Sequence, residues 1–128
     1  MTALSDLISS FEELWPTETA EDWDRVGLML GHPASEIGKV LLSVDVTADV
    51  IAEATKQGAQ LLLTHHPMLL KPVHELGELT AKGNLVSSAV RGSLAIYAAH
   101  TNADVAQGGV SQSLAAALGL TEIAPLDQ

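Results

Sequence analysis

The segment Lys39-Val40-Leu41-Leu42-Ser43-Val44-Asp45-Val46 and the segment Gln60-Leu61-Leu62-Leu63-Thr64-His65-His66-Pro67 decide the fold, together with what lies between them. The first is a nearly continuous aliphatic run of strand length, the pattern of a strand buried on both faces. Thr47 can cap a helix that runs to Gln57, with Val50, Ile51 and Ala54 turned inward, and Gly58 suits the left-handed position that ends it. A short strand from Gln60 to Leu63 follows at once. Strand, helix and strand in this order form a βαβ unit, whose right-handed crossover makes the two strands parallel.

The alternation continues in both directions. Upstream, Leu4, Leu7, Ile8, Phe11 and Leu14 recur at helical spacing, and Pro16 stands just past the last of them. Thr17 to Asp24 is polar and acidic, and Val26 to Leu30 reads as a short strand closed by Gly31, His32 and Pro33. Downstream, Thr80 opens a helix in which Leu85, Val86, Ala89 and Val90 repeat, Gly92 ends it, and Leu94 to Ala98 is another strand. Gly108 and Gly109 precede a final helix from Val110 to Leu118, which Gly119 terminates. The expected fold is therefore α/β, with a parallel or mostly parallel sheet carrying helices on its faces. No repeat or linker divides residues 1–128, which read as one domain; the stretch from Pro125 to Gln128 is where a further strand or second domain could begin.

Composition bounds the function. A chain of 128 residues that is 47% hydrophobic suits one core. With aromatic residues at only 3%, that core must be aliphatic, and Trp15 and Trp23 should be its largest pieces. A formal charge of -10 argues against nucleic acid as a partner, because phosphate-backbone binding normally needs a basic patch. The absence of cysteine excludes disulfides, Fe–S clusters and thiolate zinc sites, so any metal must be held by imidazole and carboxylate. Met1 to Ser10 has no basic start and no long apolar run, so neither a signal peptide nor a membrane span is expected, and a cytoplasmic location is the simplest reading.

Ligands of open α/β sheets bind outside the carboxyl ends of the strands, where successive loops converge. Thr64-His65-His66-Pro67 directly follows one strand and His100-Thr101-Asn102-Ala103-Asp104 the next, so both polar clusters should share one edge. Adjacent histidines inside a strand would face opposite ways, but at a strand end the chain can turn and present both imidazoles to one pocket. Imidazole binds zinc, iron, nickel and cobalt, and a carboxylate such as Asp104 adds charge and can bridge ions. His65, His66 and Asp104 are the candidate metal ligands. Paired histidines on a surface loop are also common without metal, and His100 can equally be a hydrogen-bonded histidine that touches no metal. Asp45 could orient a metal-bound imidazole or cap the following helix. Gly108-Gly109-Val110-Ser111 could receive a phosphate on bare N–H groups or be a plain turn. His32 and His74 fall in loops and are expected to be solvated. No nucleophile elbow, P-loop or dinucleotide fingerprint is present.

These motifs resemble those of the NIF-three-like family, also labelled GTP cyclohydrolase I type 2 homologues. Trp23-Asp24-Arg25-Val26-Gly27-Leu28 resembles its W-D-N-x-G-L segment, Thr64-His65-His66-Pro67 its T-H-H-P motif, and Tyr97 to Asp104 its Y-x-x-H-T-N-x-D segment, followed by the similar Gly108-Gly109-Val110. Arg25 stands where the family pattern has asparagine. The resemblance implies two divalent ions (zinc, iron, nickel, cobalt or manganese), with His65, His66 and Asp104 as ligands and His100 beside them. It also implies a further histidine and glutamate from near the end of a full-length chain, which nothing here matches. The chain thus looks like the amino-terminal half of a family member, with the carboxy-terminal half absent. Hexameric rings are a family property, so self-association is expected.

Two functions follow. One is metal-dependent hydrolysis of a small nucleotide-like or phosphorylated substrate, with His100 orienting substrate or moving a proton as a catalytic residue. The other is a metal-binding regulatory or interaction module without catalysis. The cyclohydrolase label does not define a substrate.

Overall fold

The computed structural model describes residues 1–125, so the anticipated start of a further element in 125–128 lies, from position 126 on, outside the described residues. A short strand β1 (Thr2–Ala3) leads into α1 (Leu4–Leu14), and one turn of 3-10 helix follows at Thr17–Thr19. Then come β2 (Gly27–Leu30), β3 (Glu36–Ile37), β4 (Val40–Ser43), α2 (Ala48–Lys56), β5 (Leu61–Thr64), α3 (Ala81–Arg91), β6 (Ala95–Ala98), α4 (Thr101–Val105) and α5 (Val110–Ala117). The helix boundaries have local causes. The Thr47 hydroxyl accepts the Val50 N–H at 3.2 Å to start α2, Gly58 takes a φ of +68° just after it, and the Thr80 hydroxyl accepts the Gly83 N–H at 3.1 Å to start α3.

The main sheet has the order β2-β6-β5-β4, and β4, β5 and β6 are parallel. β2 runs antiparallel to β6 at one edge, so the sheet is mixed and mostly parallel. β1 and β3 form a separate antiparallel ribbon that the sequence did not suggest. Side chains alternate across the central strands as the pleat requires. Leu62 and Ile96 face one side, where Ile51, Ala54, Ala89 and Leu94 bury them against α2 and α3. Leu61, Ala95 and Tyr97 face the other, where Leu4 and Ala103 are buried with them and Phe11 and Trp15 of the α1 region pack alongside.

Two expectations about burial are corrected. The aliphatic run from Lys39 to Val46 is not a strand buried on both faces: β4 is the sheet's edge strand, and Leu42 is 74% exposed. Hydropathy alone cannot distinguish a central strand from an apolar edge. Trp23 is not a core residue either, being 57% exposed, while Trp15 is half-buried against Phe11 with ring centroids 6.0 Å apart. No helix among the described residues is long and apolar enough to cross a membrane.

Candidate metal centre

Strand register assembles the site. Ser43 pairs with Thr64 and Thr64 with Ala98, so the three parallel strands end level with one another. The residues that leave those ends, Asp45, His65 with His66, and His100, therefore share one edge. β2 contributes by running the other way. Gly27 pairs with Ala98, which brings the start of this antiparallel strand, and the Trp23-Asp24-Arg25 segment before it, to the edge where the parallel strands finish.

Parallel pairing continues just beyond β5, as the N–H groups of His65 and His66 donate to the carbonyls of Ser43 (3.2 Å) and Val44 (2.8 Å). The buried Thr64 hydroxyl donates to the His66 carbonyl at 3.1 Å and braces the turn from inside. Consecutive histidines thus end on the same side, with ring centroids 5.1 Å apart. The His100 ring lies 5.0 Å from that of His65 and 5.4 Å from that of His66, nearly perpendicular to the latter. One ring nitrogen from each of the three lies within 4.8 Å of the other two, an arrangement that could hold a metal ion.

The donors have the required chemistry. His65 Nδ1 is 3.0 Å from the Ala99 carbonyl oxygen, which only accepts, so Nδ1 carries the hydrogen and Nε2 keeps its lone pair. His66 Nδ1 is 2.7 Å from Asp45 Oδ1, with the same consequence. An outward Nδ1–H held by a carbonyl or carboxylate is the usual support of a metal-binding imidazole. Asp104, on α4, places Oδ1 3.6 Å from His65 Nε2 and brings negative charge to the group.

His100 is held most firmly of the three. Its Nδ1 lies 2.9 and 3.0 Å from the two carboxylate oxygens of Asp24. Asp24 is buried and also accepts from the Arg25 N–H (2.7 Å), the Thr101 N–H (3.1 Å) and the Thr101 hydroxyl (2.5 Å). Burial alone would push its pKa up, but the bonds from Thr101, His100 and Arg25 outweigh it and hold the carboxyl at about 2. Fully buried Asn102 fixes the backbone, accepting the His100 N–H at 2.9 Å and donating to the Trp15 carbonyl at 2.8 Å. Trp23 lies edge-on to the His100 ring at 6.0 Å. Behind the site, the Tyr97 hydroxyl meets Glu12 at 3.2 Å; burial and that carboxylate raise the phenol's pKa.

The structure therefore brings His65, His66 and His100 together and sets Asp104 beside His65. His100 stands as the third corner of the group rather than at its margin. Asp45 does not cap α2, since Thr47 does so, and it orients His66 instead. A Cβ on Gly109 would come within 2.1 Å of the Ala103 carbonyl, so this glycine answers to close packing of α5 on α4. His32 and His74 are exposed. Sequence reasoning did not single out Asp24 and Asn102 as site residues. The H-T-N-x-D spacing was the available signal for Asn102, whereas finding Asp24 required knowing that β2 is antiparallel.

Fold and site together define an α/β protein with a histidine group, able to hold a metal ion, at the carboxyl edge of its parallel strands. The model of the Duf34/NIF3 (NGG1p interacting factor 3) family matches residues 2–128, and the chain belongs to that family. It is similar to a Streptomyces coelicolor protein named GTP cyclohydrolase 1 type 2 homolog, at 43% identity over 98% of this chain and 44% of that relative. Among solved structures it is similar to a Bacillus cereus protein related to NIF3, with TM-score 0.91 and 38% identity over 95% of this chain and 34% of the other. A Staphylococcus aureus protein, SA1388, superposes with TM-score 0.92 at 32% identity, over 98% of this chain and 36% of that one. The chain thus spans less than half the length of these relatives.

Proposed function

We propose that the chain binds a divalent metal through His65, His66 and Asp104 and serves metal-dependent hydrolysis of a small nucleotide-like or phosphorylated molecule. The observation that carries this reading is the convergence of three imidazoles whose Nδ1 atoms each face an acceptor, which leaves Nε2 free on each ring. The residues fit an ion that accepts nitrogen and carboxylate donors, such as zinc, iron, nickel, cobalt or manganese. A bound ion would supply Lewis acidity and ease the deprotonation of water near neutral pH.

In this reading His65, His66 and Asp104 hold the metal, and His100 offers its Nε2 as a fourth donor to the same ion. Three imidazoles and one carboxylate suffice for a single ion; a dinuclear centre would need donors from outside this chain.

The test is hydrolysis of a phosphoester and nucleotide panel by the metal-loaded chain, with Asp104→Ala and His65→Ala as controls. The reading expects turnover that both substitutions abolish. Turnover retained in Asp104→Ala contradicts it. Metal-dependent change of association state with no hydrolysis favours the interaction-module alternative.

A further inference from the structure

We propose that Asp24 is a positioning residue that fixes the tautomer of His100, so that the Nε2 lone pair of this ring is the one offered to the histidine group. The argument is a count of donors and acceptors. Arg25 N–H, Thr101 N–H and the Thr101 hydroxyl already donate to Asp24, and the two N–H groups cannot accept from it. The Thr101 hydroxyl, whose oxygen also accepts the Glu21 N–H at 3.0 Å, donates to Oδ2 at 2.5 Å. With three donors converging on its two oxygens Asp24 stands as an acceptor, so the atom facing it on His100 is Nδ1–H. The hydrogen is thereby excluded from Nε2, the only ring nitrogen left to face His65 and His66. Among the described residues no buried side-chain nitrogen or oxygen lacks a partner.

The same count predicts what an amide would do. In Asp24→Asn one oxygen becomes an NH2 group. Placing it at the Oδ2 position would oppose both donors of Thr101, and placing it at Oδ1 opposes only Arg25 N–H. The amide nitrogen therefore settles on the Oδ1 side, 2.9 Å from His100 Nδ1, where it favours an accepting Nδ1, while the carbonyl oxygen at the Oδ2 position, 3.0 Å away, can still accept from Nδ1–H. The Nδ1–H form is then no longer enforced, and the Nε2–H form becomes populated while the ring stays in place. The tautomer does not depend on the metal reading; its consequence for metal binding does.

Ring 15N shifts and two-bond 1H–15N correlations test this on the metal-stripped, 15N-histidine-labelled chain at a pH near 8, where an ordinary imidazole is neutral. His100 is expected as Nδ1–H in the parent and in Thr101→Val, which keeps the carboxylate, and with the Nε2–H form populated in Asp24→Asn. Zinc affinity is expected to fall roughly 10–100-fold in Asp24→Asn and to change little in Thr101→Val. An Nε2–H tautomer in the parent overturns the proposal without any variant having to fold. So does an unchanged tautomer in Asp24→Asn, or an equal loss of zinc affinity in both variants. A correct tautomer with no zinc bound to any form leaves Asp24 in its positioning role and refutes only the metal reading.

Discussion

Asn102→Ala tests how the site is built into the fold. Asn102 is fully buried and joins two chain segments far apart in sequence, accepting the His100 N–H at 2.9 Å and donating to the Trp15 carbonyl at 2.8 Å. Truncation leaves one donor and one acceptor without partners in a partly buried setting. Each orphaned group costs about 1–3 kcal/mol, and the lower half of that range applies where water can reach, so a loss of about 2–4 kcal/mol is expected. For a domain of this size that is roughly 10 °C in melting temperature. The companion Asn102→Asp keeps an acceptor for the His100 N–H but turns a carboxylate oxygen toward the Trp15 carbonyl. It should be as destabilised at neutral pH and recover partly on acidification, when its protonated carboxyl can donate again. Thermal unfolding followed by circular dichroism at pH 7 and pH 4 reads both. A loss below about 0.5 kcal/mol in Asn102→Ala would refute the idea that these two bonds anchor the His100 loop.

Asp24 should shape the acid limb of stability. Its folded pKa of about 2 lies below the ordinary 3.8, so the carboxylate stabilises the fold above pH 4 and that contribution is lost as pH falls toward 2; at about 1.4 kcal/mol per pH unit it amounts to about 2 kcal/mol. Urea unfolding of the parent and Asp24→Asn should therefore converge as pH falls from 5 to 2, and parallel curves would contradict this. In the core, Leu62→Ala should cost about 2–5 kcal/mol because Leu62 is wholly buried between the sheet and α2 and α3. Leu42→Ala, on the exposed edge strand, should cost under about 0.5 kcal/mol, and similar losses at the two positions would contradict the strand order described.

Much of this architecture can be read in the sequence, for physical reasons. The run from Lys39 to Pro67 carries its own helix cap, its terminating glycine and two aliphatic strands, so the βαβ unit follows from local chemistry. Once the strands are parallel, the rule that loops at their carboxyl ends converge places His65, His66 and the His100 loop on one edge. Strand direction at the sheet margin is not encoded so locally. Gly27–Leu30 is too short and too evenly apolar to reveal that it runs antiparallel, and so the arrival of Asp24 at the site could not be foreseen. β4 shows the complementary limit: Leu41 and Leu42 are equally apolar, yet only burial in three dimensions distinguishes them. Trp23 misleads in the same way, since its size suggests a core and its place is against the edge of the His100 ring.

The most direct test of the metal centre is elemental mass spectrometry of the purified chain after dialysis against a weak chelator, beside the His65→Ala/His66→Ala double variant. The account predicts about one ion per chain in the parent, matching one tetrahedral donor set, and none in the double variant. No metal in the parent, or equal metal in both, would contradict it.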